Sequence, residues 1–209
     1  MLNTNQADKI FIIGLPRTGT TSICASLLKL GYRVAHTAYT RRCMCDAQVI
    51  ADTPIFCDYQ TLAEQYPNAK FIYLIRDLTL WLPSIRQLLQ RMHKNITRKD
   101  GGFNPILKRC YQSVFAPFTL DKFSQDEFLI KCYQQHYQIA VNFFVNRKTD
   151  LLIIDISEKD SFHQMLTYLN VHDLALVNKI NNFERMNIRG KITAWNKIKD
   201  NNKIDSNLK

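Results

Sequence analysis

A chain of 209 residues with 46% hydrophobic and 22% charged residues has room for one domain with a sizeable core, or at most a core plus a small lobe. Its formal charge of +10 calls for an anionic partner. The chain has no basic helix with regular aromatic interleaving, and the lysines of its tail are mixed with Asn and Asp, so nucleic acid is disfavoured against an anionic surface, substrate or small ligand. The start MLNTNQADK carries no apolar stretch of signal-peptide length, and no window reaches the roughly 18 apolar residues of a membrane span, so a cytoplasmic protein is expected. The six cysteines form neither a disulfide scaffold nor paired zinc motifs; reduced thiols and no metal site are expected.

Residues 9–13 read as a buried parallel strand and residues 20–30 as a helix closed by Gly31. Between them lies Gly14-Leu-Pro-Arg-Thr-Gly19-Thr-Thr, which fits the phosphate-loop frame GxxxxGK[ST] at every defined position except the lysine, here Thr20. Such a loop points successive backbone N–H groups and the positive end of the following helix at one anion. Arg17 offers a guanidinium fork in place of the absent lysine. Thr20, Thr21 and Ser22 can cap the helix, bind the ligand, or do both. A ligand-free turn is the plain alternative, against which stand two glycines, an arginine and a Thr-Thr-Ser run in one frame.

A second strand, 32–35, ends at His36, and 43–51 reads as weakly helical. Residues 59–66 form a short helix stopped before Pro67, and KFIYLI at 70–75 is the clearest strand of the chain. Residues 79–93 place Leu82, Ile85, Leu88, Leu89 and Met92 at helical spacing, with Pro83 tolerated in the first turn if Thr79 is the cap. From 94 to 125 the pattern dissolves, with Arg98, Lys99, Lys108 and Arg109 against Asp100: an insertion, lid or acceptor-binding segment, or a solvated connector. A helix at 126–146, a fourth strand at 151–156 and a helix at 161–169 complete the alternation, and 200–209 is expected to be a disordered tail. The expected fold is a single domain, a three-layer α/β/α sandwich around a parallel sheet of the P-loop nucleoside triphosphate hydrolase type.

Ligands of open α/β sheets sit beyond the carboxyl ends of the strands, so the segment leaving residue 75 shares the crevice with the glycine loop. It starts Arg76-Asp77 and carries Ser84 eight positions after Arg76 (84 − 76 = 8). The arginine and the serine can hold a further phosphate together; alternatively Arg76 pairs with Asp77 and Ser84 is an ordinary helical serine.

At this point the chain resembles the sulfotransferases. GLPRTGTTS is similar to their 5′-phosphosulfate loop, and Ile75-Arg76-Asp77 with Ser84 is similar to their 3′-phosphate motif. The likeness is greatest to the microbial-type group with an AxFIxxxRDxxxWxxS segment, here Ala69 through Trp81 to Ser84. Ala51-Asp52-Thr53-Pro54, Tyr66-Pro67 and LLIIDI…FHQMLTYLNV extend the match to about residues 9–171. The resemblance implies 3′-phosphoadenosine-5′-phosphosulfate (PAPS) as donor, its 5′-phosphosulfate held by Arg17, Thr18, Gly19, Thr20, Thr21 and Ser22 and its 3′-phosphate by Arg76 and Ser84. Ile188-Arg189-Gly190…Trp195 keeps the glycine-to-tryptophan spacing of a cofactor-covering motif, which makes Arg189 a further candidate for the 3′-phosphate. The candidate general base is His36 at the end of the second strand, the plain alternative being a histidine that caps the strand or bonds locally, with Asp52 as its competitor or its orienting carboxylate. The activity implied is in-line sulfuryl transfer to a hydroxyl or amine of a small-molecule or glycan acceptor. The rival readings are a nucleotide or small-molecule kinase without the usual lysine, and a non-catalytic nucleotide-binding domain.

Overall fold

The computed structural model describes residues 9–145, 147, 151–171, 182–183 and 194–209. Strands β1 (Ile10–Ile12), β2 (Val34–Ala35), β3 (Val49–Ile50), β4 (Lys70–Ile75) and β5 (Leu151–Asp155) form one sheet in the order β2-β3-β1-β4-β5, parallel at every pairing. A strand covered on both faces must be apolar on both, which is why these segments read as unbroken apolar runs and not as alternations. Ile10, Ile12, Ile72 and Leu74 point to one face and meet Ile23 and Leu27 of α1 (Thr20–Lys29) and Phe162 and Met165 of α8 (Ser161–Tyr168). Phe11, Ile13, Phe71 and Tyr73 point to the other, against Tyr59 and Leu62 of α3 (Ile55–Gln65) and Ala140 and Phe144 of α7 (Asp126–Val145). These are the three layers that the sequence implies.

A third cluster lies beyond the carboxyl ends of the strands. Trp81, Ile85 and Leu89 of α4 (Leu78–Thr97) pack with Cys110 and Tyr111 of α5 (Pro105–Val114), Phe123 of α6 (Leu120–Ser124) and Leu129 of α7. The segment 94–125 is thus not a solvated connector. Within it Cys110, Phe115 and Phe123 are fully buried, and each large apolar side chain so placed contributes about 1.5–3 kcal/mol towards holding the segment against the core.

Three expectations are corrected. The stretch 43–51 is not one weak helix: α2 (Arg41–Asp46) ends early, and Val49 and Ile50 form β3, paired with both β1 and β2. The break is stabilised by buried Lys9, whose ammonium donates to the carbonyls of Met44, Cys45 and Ala47 at the end of α2. Helix α4 is capped by Asp77, which accepts from the N–H groups of Thr79 and Leu80, and not by Thr79. Pro83 therefore falls at the sixth helical position and forgoes a bond to the carbonyl of exposed Thr79, where water can substitute. The last ten residues, expected to be disordered, run along the β2 edge: Asn202 and Ile204 bond to Val34, and Ser206 to Tyr39. Among the described residues, no helix is long and apolar enough to cross a membrane.

Candidate functional site

The chain leaves β1 and the adjacent β4 towards opposite sides, into α1 on one and α4 on the other, so a crevice opens at the carboxyl ends of these two strands. The glycine loop fills the β1 side of it. A Cβ on Gly14 would stand 2.6 Å from Leu74 Cβ and 2.7 Å from the Leu74 carbonyl oxygen, so only glycine lets the loop lie flat on β4. Gly19 has φ 108°, and a Cβ there would collide with Ile156, the residue after β5. Arg17 has φ 74°, a left-handed conformation that side-chain-bearing residues avoid. Buried Thr18 ties the turn by donating to the Leu15 carbonyl at 2.7 Å, so its hydroxyl serves the loop. Helix α1 then starts at Gly19 with no capping side chain, and Thr20, Thr21 and Ser22 occupy its buried first turn.

The two motifs found separately in the sequence meet here. Arg17 Nε donates to Ser84 Oγ at 2.7 Å, and Arg76 Nη1 donates to the Arg17 carbonyl at 2.7 Å. Neither guanidinium is in an ion pair with a described residue, which removes the Arg76–Asp77 alternative. Asp77 faces its own helix as the cap. Burial, then the nearby Arg76 charge, push the Arg17 pKa down. A half-buried arginine that remains charged under those conditions is a standing demand for an anion. On the far side of Arg76 the crevice continues for about 770 Å³ between the ends of β4 and β5, lined by Ile75, Tyr133, Ile153, Lys159 and Ser161 among others.

His36 and Asp52 stand on the opposite flank of the loop, after β2 and β3. His36 Nε2 lies 3.1 Å from Thr21 Oγ1. Burial lowers the pKa of His36 while the Asp52 carboxylate acts to raise it and Lys203 to lower it, and the result is an imidazole that is neutral near pH 7. Asp52 has φ 49° and accepts from Thr53 Oγ1 at 3.0 Å. Burial raises its pKa, and His36 pulls it back down. Arg189 lies outside the described residues.

A family model described as Sulfotransferase domain matches residues 9–42 and 37–191. The chain belongs to the sulfotransferase family. No individual curated protein matches it. The matched residues include every candidate named above, and the chemistry of this sulfotransferase is sulfuryl transfer.

Three residues that shape the sulfotransferase site have no site role in the sequence reading. The Tyr133 hydroxyl accepts from the Arg76 N–H at 2.9 Å and donates to the Arg76 carbonyl at 3.2 Å, which fixes the backbone from which that arginine reaches the loop. Trp81 Nε1 donates to the Pro16 carbonyl at 3.0 Å, a second tie between α4 and the loop. Trp195, in the short helix α9 (Ala194–Lys197), lies 5.4 Å from the His36 ring. Trp81 and Trp195 both fall within sequence motifs, and for Trp81, which is fully buried, the need of its indole N–H for an acceptor is a further clue. Tyr133 has no such clue: the sequence shows it only as one residue of the helix at 126–146.

Proposed function

We propose that this enzyme transfers the sulfuryl group of PAPS to a hydroxyl or amine of a small-molecule or glycan acceptor. The observation that carries the reading is the Arg17–Ser84–Arg76 cluster: two half-buried guanidinium groups and a hydroxyl, converging without an acidic partner among the described residues. This donor set fits a ligand with two separate anionic groups, and the start of α1 with no capping side chain offers backbone N–H groups to one of them. Loop residues 17–22 would hold the 5′-phosphosulfate, and Arg76 with Ser84 the 3′-phosphate; Arg189 is a further candidate for the latter.

When bound, PAPS supplies an activated sulfuryl group. The protein's part is positioning and charge neutralisation. Arg17 would neutralise the negative charge that builds up on the departing phosphate, and Arg76 braces it by donating to the Arg17 carbonyl. His36, neutral and facing the loop through Nε2, takes the proton of the acceptor, and Asp52 steadies the imidazolium that results. Thermal shift with adenosine 3′,5′-bisphosphate, AMP and ATP·Mg²⁺ tests the reading. A ligand at 100 times its Kd stabilises by about 2.7 kcal/mol. The bisphosphate should give the largest shift; a larger shift with ATP·Mg²⁺ would favour a kinase.

A further inference from the structure

Outside the Arg17–Ser84–Arg76 cluster, α3 and α5 bring together three groups to which the proposed reaction gives no role. The Cys57 and Cys110 sulfurs and an Asp58 oxygen lie within 4.8 Å of one another. Arg109 occupies the outer side of this group: its guanidinium binds both Asp58 oxygens, at 2.9 and 2.6 Å, and Nη1 stands 3.7 Å from Cys57 Sγ. A fixed guanidinium on the only carboxylate, and beside a thiol, repels a cation, so the arrangement does not suit a metal. It suits a thiolate. Cys57 is partly exposed, Cys110 is buried, and both thiols are free.

We propose that Cys57 and Cys110 form a redox-sensitive thiol pair, in which Cys57 is the sulfur attacked by a peroxide and Cys110 is the resolving thiol. A hydrogen bond from Cys110 and the charge of Arg109 lower the pKa of Cys57, against burial and Asp58, while Cys110 is pushed up and stays protonated. The Cys57 thiolate displaces hydroxide from hydrogen peroxide and becomes a sulfenic acid; the Cys110 thiol then attacks that sulfur, expels water after proton transfer, and closes a disulfide. The peroxide takes up the two electrons that the thiols lose. The bond would join α3 to α5 at the residue before Tyr111, whose ring packs on Phe56.

Treatment of the full chain with hydrogen peroxide, alkylation of remaining thiols and peptide mass mapping tests this. A Cys57–Cys110 cross-linked peptide, lighter than the two reduced peptides by two hydrogens and lost on reduction, is expected. In Cys110→Ser the resolving step is absent, so Cys57 should be trapped by dimedone as the sulfenic acid. Before oxidation, iodoacetamide at pH 7 should alkylate Cys57 roughly two- to fivefold faster than free glutathione, and Arg109→Ala, which also leaves the Asp58 carboxylate uncompensated, should reduce the excess. No cross-link, with Cys57 reacting no faster than glutathione in the folded chain, overturns the proposal. So does a cross-link that instead joins Cys57 to the exposed Cys45.

Discussion

Arg17 holds a left-handed backbone, φ 74°, at a cost of roughly 1–2 kcal/mol for a side-chain-bearing residue. Asp52 does the same on the other flank of the loop, with φ 49°. Strain of this kind persists where the surroundings over-determine it, and here it aims one guanidinium and one carboxylate into the same crevice. If Arg17 serves the departing group more than the resting donor, Arg17→Ala lowers kcat by a larger factor than it raises the KM for PAPS. A change in KM alone would reduce Arg17 to a binding residue. The base is tested on the same scale: His36→Ala should lose about 10²–10⁴ in kcat while adenosine 3′,5′-bisphosphate binding, measured by calorimetry, stays within about twofold. Should His36→Ala turn over normally and Asp52→Asn fail, the proton goes to Asp52.

At the scale of elements, what the sequence disclosed depended on range. β1, α1 and β4 were legible because each is a local pattern: an apolar run, a helix with its glycine stop, a strand bounded by turns. The glycine loop and the Arg76–Ser84 spacing were legible for the same reason. β3 was not, since two residues make a strand only by pairing with β1 and β2, and the Lys9 side chain that ends α2 comes from 35 to 38 positions away. Nor was the ordering of the tail, whose Asn, Lys and Asp content suits a disordered segment by composition alone. Its partner, the β2 edge, lies more than 160 positions upstream. The tail bonds to Val34 and Tyr39 through backbone groups, and to Thr37 and Thr40 through hydroxyls at 2.6 and 2.5 Å. Deleting residues 202–209 should therefore cost about 2–5 kcal/mol, from several hydrogen bonds at roughly 1 kcal/mol each, and lower Tm by roughly 4–20 °C. A Tm unchanged by the deletion, measured by calorimetry, would mean that the edge contacts add nothing to the fold.

Across the whole molecule, the fold is sensitive to acid through a group remote from the chemistry. His136 of α7 is buried between β4 and α3: its Nε2 faces the Phe56 carbonyl at 2.7 Å, which can only accept, so Nδ1 is the acceptor for the Tyr73 hydroxyl, also at 2.7 Å. Protonation would turn Nδ1 into a donor, so the Tyr73 hydroxyl would have to accept where it now donates, and the charge would lie in the core. Burial accordingly pushes its pKa down to about 4. Because the unfolded chain takes up this proton first, the contribution of His136 is complete above about pH 6.5 and is lost as the pH falls from there towards 4, by about 2–4 kcal/mol in total. His36 adds in the same sense, and Asp52, whose carboxyl is held above its ordinary range, opposes it in the lower part of the window. Urea unfolding at a series of pH values should show this decline, and His136→Gln should flatten it; an unaltered slope would place the acid sensitivity elsewhere.

The account as a whole stands on Arg76 and Ser84 being the reader of the 3′-phosphate and not merely a brace for the loop. The affinities of adenosine 3′,5′-bisphosphate and AMP for the wild type and for Arg76→Ala, by calorimetry at one salt concentration, measure this directly. Losing a charged hydrogen-bond partner costs about 1.5–3 kcal/mol, so the bisphosphate should weaken roughly 10-fold or more and AMP hardly at all. Equal weakening of both nucleotides would contradict the assignment and leave Arg76 only its bond to the Arg17 carbonyl.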